Sequence, residues 1–130
     1  MSVELSTNAA LNAHLAALPD VPPIAWPNVD FDPKGAEVWL EAMQMPRETD
    51  DPFLPDDAAL DYGGVYQVKV LIRKGGNEEL ALIFADDIIA HFRRGTMIGP
   101  VRTRQPYRSA GLDEGSFWAI VVSIPYRGII

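Results

Sequence analysis

The chain has 130 residues, of which 48% are apolar and 22% charged, with a formal net charge of −7 and no cysteine. These values suit one globular domain with a single core, spanning residues 1–130, and they exclude disulfides, thiolate chemistry and cysteine-built zinc sites. No apolar run approaches the ~20 residues of a membrane span, and Met1 to Leu5 lacks the basic and apolar regions of a signal peptide, so the expectation is a soluble product with no membrane partner.

Ser2 to Leu18 reads as a helix: Ser2 caps it, alanine is frequent, and Val3, Leu11, Leu15 and Leu18 fall on one side. Pro19, Pro22 and Pro23 end it and hold the next residues extended. Ile24 to Val29 contains Trp26-Pro27 and reads as an edge strand or an extended lead-in, before an Asp30 to Gly35 turn. Glu37 to Met45 is a strand with apolar residues on both faces, so cover on both is expected. Pro46 to Tyr62 holds six acidic residues, three prolines and few large apolar groups. Such a segment does not bury enough surface to offset its ordering entropy, which predicts a mobile acidic loop at 46–62.

The chain is organised around Gly64 to Gly95. Tyr66, Val68, Val70 and Ile72 alternate with more polar residues, the period of a strand. Lys74-Gly75-Gly76-Asn77 turns the chain, Asn77 caps a helix, and Glu78 and Glu79 sit where the helix dipole favours negative charge. Leu80, Ile83, Phe84, Ile88 and Phe92 follow at helical spacing, predicting an apolar stripe laid back onto the strand. Thr96 to Tyr107 reads as a short edge strand with Arg102 and Arg104 in water, and Arg108 to Gly115 as a polar loop. Ser116 to Arg127 is the most apolar strand and is expected to be central. The predicted order is α-β-β-β-α-β-β, an α+β fold: a small antiparallel or mixed sheet with two helices on one face.

Chemistry is sparse. Asp87 and His91 lie four apart on the predicted helix, but no second histidine is near in sequence, and an ordinary surface contact explains the spacing. Asp30-x-Asp32 and the aspartates of 50–57 match no calcium-loop pattern. No nucleophile elbow, phosphate loop or nucleotide fingerprint is present, so no catalytic, cofactor or metal residues are assigned and no enzyme is expected. Charge is the more informative feature. Residues 1–63 carry 12 acidic and 2 basic side chains, a balance of −10, and residues 64–130 carry 6 and 9, a balance of +3. Arg93, Arg94, Arg102, Arg104 and Arg108 form the basic cluster; Asp50, Asp51, Asp56 and Asp57 are its natural complement on another copy. The acidic total disfavours nonspecific nucleic-acid binding.

Four pieces, Ile24-Ala-Trp-Pro-Asn-Val-Asp-Phe31, Gly64-Val-Tyr-Gln-Val-Lys-Val70, His91-Phe-Arg-Arg-Gly-Thr96 and Val122-Ser-Ile-Pro-Tyr-Arg127, together resemble the tail terminator (tail completion) family of long-tailed phages and prophages. The resemblance covers nearly the whole chain from Ile24. It implies an α+β subunit that forms a ring, typically a hexamer, on the head-proximal end of the tail tube. Such a ring stops tube polymerisation and faces the head–neck connector. Its implied partners are itself, the tail-tube protein and the connector, and its place is the virion after assembly in the host cytoplasm. Two other classes fit the residues: a different virion joint, such as a head–tail connector or minor tail protein, and a nucleic-acid-binding accessory protein using the arginine cluster.

Overall fold

A computed structural model describes residues 3–33, 35–46 and 63–128. The acidic segment, apart from Pro46, lies outside the described residues. Helix α1 (Val3–Ala16) is followed by β1 (Ile24–Ala25), β2 (Val38–Pro46) and β3 (Gly63–Arg73). After α2 (Glu78–His91) come β4 (Met97–Ile98), β5 (Val101–Thr103), β6 (Tyr107–Arg108), β7 (Leu112–Glu114) and β8 (Phe117–Gly128). The strands form one mixed, curled sheet of eight in the order β1-β2-β3-β8-β5-β4, with β6 and β7 also on β8. The fold is α+β, and the predicted order holds apart from the splitting of the edge.

The α2 start follows its sequence. Asn77 Oδ1 accepts the Leu80 N–H at 3.1 Å, satisfying one of the donors a helix start leaves open. Both helices lie on one face of the sheet. Leu11, Leu15 and Leu18 of the first helical region and Ala81, Ala85, Ile88 and Phe92 of the second join Tyr66, Val68, Val70 and Ile72 in one buried cluster. The buried stripe of α2 therefore runs through Ala81 and Ala85 rather than through Ile83, which is 50% exposed. Leu80 and Phe84 are only partly buried against the cluster.

Cover on the opposite face is local. Trp39, Leu71 and Ala119 are buried there with Phe31 and Phe117 against them, the Trp39 and Phe117 rings meeting edge to face at 5.2 Å. Beyond that end the same face of β2 presents Met43 and Met45, 56% and 41% exposed. Two-sided cover of β2, expected from its sequence, thus holds for half its length.

The expected polar loop at 108–115 is instead sheet. Residues 101–114 run antiparallel along the outer edge of β8 as one strand broken twice. Thr103 pairs with Tyr126 and Tyr107 with Ser123, so four steps along this edge match three along β8. Arg108 pairs with Val122 and Leu112 with Ala119, again four against three. Each break inserts one extra residue, a β-bulge, which reverses the faces of everything beyond it. Pro106, which has no N–H to donate, sits in the first break. Gly111 sits in the second, where an added Cβ would lie 1.9 Å from the Trp118 ring. The polar residues that suggested a loop are held by ion pairs: Lys74 to Asp113 and Lys69 to Glu114, both at 2.8 Å.

Candidate interaction surface

The arginines do not act as one group. Val101 and Thr103 are buried on the helix side, so Arg102 and Arg104 stand on the opposite, open face of the sheet. Arg102 pairs across strands with Arg127, and these two with Arg94 and Arg104 line a shallow basin of about 640 Å³. Like charges directly opposite one another weaken strand pairing. No acidic residue lines the basin among the described residues. Arg127 was not among the residues singled out from sequence; only the register of β5 on β8 brings it in.

Arg93 has a different role. Its carbonyl accepts the Thr96 hydroxyl at 2.6 Å and the Thr103 hydroxyl at 2.7 Å, fixing the turn that leads from α2 to β4. Arg108 lies beyond the first bulge and so faces the helix layer, where its Nε stands 3.3 Å from Asp86 of α2. Asp50, Asp51, Asp56 and Asp57 lie outside the described residues.

The open face continues from the basin across the sheet. Met43 pairs with Gln67, Gln67 with Ser123 and Ser123 with Tyr107, a row joined by the Gln67 amide donating to the Ser123 hydroxyl at 3.4 Å. The next rows hold Met45, Val65 and Pro125, then Arg127, Arg102 and Met97. Met97 and Tyr107 are 63% and 57% exposed. Where Trp26, Val29 and Phe31 overhang Met43, a cleft of about 430 Å³ opens on this face.

The histidines, distant in sequence, meet. His14 and His91 stack with ring centroids 4.1 Å apart, and Phe92 meets both edge to face. His14 Nε2–H donates to the His91 carbonyl at 2.8 Å, and His91 Nε2–H donates back to the His14 carbonyl. Each satisfies a carbonyl near the end of the other's helix, where helices leave acceptors open. With both Nε2 atoms so engaged, the pair is a clip between α1 and α2. No group of metal-ligating side chains forms among the described residues.

A small sheet backed by two helices, an open apolar face rimmed with arginine and histidines committed to holding helices together describe an assembly subunit. The sequence profile of the phage tail terminator protein family matches residues 6–126, and the chain belongs to that family. It is therefore a structural protein of the phage tail, concerned with tail completion and located in the virion. One solved structure superposes with a TM-score of 0.74 at 25% identity, over 98% of this chain and 94% of the other. Comparison with curated proteins finds no match. No helix among the described residues is long and apolar enough to cross a membrane.

Proposed function

We propose that this chain is a one-domain subunit, spanning residues 1–130, of a ring that caps the tail tube. The ring ends tube polymerisation and offers its far side to the head–neck connector. Its role is non-catalytic and needs no cofactor. It assembles in the host cytoplasm, and six copies is the number expected for the family.

The observation that carries this reading is the sheet order. β1 and β2, from the half with a balance of −10, stand at one end of the sheet, and β4 to β6, from the half with a balance of +3, stand at the other. A closed ring needs one patch to meet a different patch on the next copy; the arginine-bearing end is taken as one patch and the acidic residues of the first half as the other. Asp50, Asp51, Asp56 and Asp57 on one copy and Arg93, Arg94, Arg102 and Arg104 on the next are its charged groups, Arg108 being turned to Asp86 of its own chain. Exposed ion pairs contribute only about 0–1 kcal/mol each and weaken with salt, so they steer and orient neighbours. Free subunits are accordingly monomeric at micromolar concentration, and the tube end provides the further surface that closes the ring.

Light scattering on the pure protein is expected to give the mass of one chain. Mixed with purified tail tubes, it is expected to arrest their growth and to form rings at one end by negative-stain microscopy. Glu at both Arg102 and Arg104 is expected to abolish capping while leaving the thermal unfolding profile intact. Tubes that grow on unchanged in the presence of wild-type protein would reject the terminator role. Salt-sensitive retention of duplex DNA, with tubes uncapped, would point to the nucleic-acid alternative.

A further inference from the structure

Charge steers, but a contact also needs an apolar centre, and the molecule exposes two apolar strips on opposite sides. One is the outward side of α2. The helix buries Ala81, Ala85 and Ile88 and turns Leu82 and Ile83 to solvent, 36% and 50% exposed. Around them stand Glu78, Glu79, Asp86 and Asp87, and no lysine or arginine occurs between Glu78 and Ala90. The other strip is the open sheet face, where exposed Met97 shares a row with Arg102 and Arg127, Met45 lines one hollow with Arg104 and Arg127, and exposed Met43 stands in the row beyond Met45. One strip is apolar with an acidic border, the other apolar with a basic border.

We propose that the outward side of α2 in one copy seats on the open sheet face of the next copy. Leu82 and Ile83 lie against the methionines, whose flexible side chains suit an irregular apolar surface. The α2 carboxylates lie toward the sheet-face arginines, and of these carboxylates Asp86 is already shared with Arg108 of its own chain. Two different surfaces meet, so the contact repeats from copy to copy instead of closing as a pair. Both strips lie within the described residues. The occupant is a second copy because the complementary strip is on the chain itself, matched in both polarity and sign of charge. The proposal rests on the ring reading for the number of copies, not for the contact.

The absence of native cysteine gives a direct test. Ile83→Cys marks the helix strip; Met43→Cys and Tyr107→Cys mark the two ends of one row on the open face. All three positions are at least half exposed, so the fold is not at risk. A short bismaleimide is applied to concentrated free protein at low salt and, separately, to protein mounted on tail tubes. Each single variant is expected to stay uncrosslinked. An equal mixture of Ile83→Cys with Met43→Cys or Tyr107→Cys is expected to give dimers. The chain carrying Ile83→Cys with Met43→Cys is expected to give a ladder of higher multiples in at least one arm. Dimers from Ile83→Cys alone, or no ladder in either arm, would overturn the contact. Rings on tubes with no ladder would reject this contact and leave the terminator reading standing. A ladder in free protein that never caps tubes would support the contact and reject the terminator reading.

Discussion

Single side chains tie the layers together, and Tyr66 is the most consequential of them. It is fully buried in β3, and its hydroxyl donates to Asn12 Oδ1 of α1 at 2.6 Å. Burial pushes its pKa well above the ordinary value, because the phenolate would lose its hydration in the core. The native state therefore keeps this proton longer than the unfolded chain does. The stability it confers is complete below the ordinary tyrosine value of about 10 and is lost as pH rises above that value. Tyr66→Phe is expected to cost about 0.5–1.5 kcal/mol at neutral pH, the net worth of one hydrogen bond. The variant should also lose less stability between neutral and strongly alkaline solution, read from urea unfolding at each pH. An alkaline loss as steep as in the wild type would assign the effect to other groups. Asp113 acts in the opposite sense: its hydrogen bond from Lys74, helped by the Gly115 N–H, holds its carboxyl below the usual range. What that pairing adds is present above the ordinary carboxylate range and fades as pH falls through the lowered value. Neither the Tyr66–Asn12 bond nor the stack of His14 on His91 was legible in sequence. Each joins residues far apart in the chain, and no local period encodes which helix turn meets which.

At the scale of elements, the strand–turn–helix unit was legible because two independent periods and a capping residue agreed. The rotation of α2 was not. Leu80, Ala81, Leu82, Ile83, Phe84 and Ala85 are consecutive apolar residues, so more than one stripe through them has helical spacing. Packing chose the stripe with two alanines, which lets the helix approach the sheet closely. Phe92→Ala, at a fully buried ring, is therefore expected to cost about 3–5 kcal/mol, whereas Ile83→Ser, on the outward side, should change stability by less than about 0.5 kcal/mol. Guanidinium unfolding of the two variants checks this, and a large loss at Ile83 would mean that the helix sits rotated. The edge at 101–114 was misread for a related reason. Its bulges interrupt the alternation that marks a strand, and its charged residues suggest a loop until the ion pairs to Lys69 and Lys74 are seen.

For the whole molecule, the sheet order places β1 and β2, from the acidic half of the chain, and β4 to β6, from the arginine-bearing half, at opposite ends. The family was legible from four short pieces in or beside β1, β3, the end of α2 and β8, which include Tyr66, Val68, Val70, Phe92, Val122, Ile124 and Tyr126 of the buried cluster. The arginine basin was only half legible, since Arg127 joins it through strand register. If self-contact depends on that basin, raising ionic strength from about 0.05 to 0.5 M shortens the reach of its charges from roughly 14 to 4 Å and should weaken association. Sedimentation velocity on concentrated protein would show this as a fall in the weight-average coefficient; a coefficient indifferent to salt would leave the apolar strips as the sole attraction.

The first bulge also has a genetic consequence. Arg102, Arg104 and Arg108 are all even-numbered, and on an unbroken strand they would share one side. The extra residue between Thr103 and Tyr107 sends Arg108 to the side of Asp86 and leaves the other two on the open side. Losing one codon there would cut the four steps to three, the number β8 takes, so the bulge would vanish while Arg108 stayed opposite Val122 and on the side of Asp86. At this edge, spacing is inherited information as much as side-chain type is.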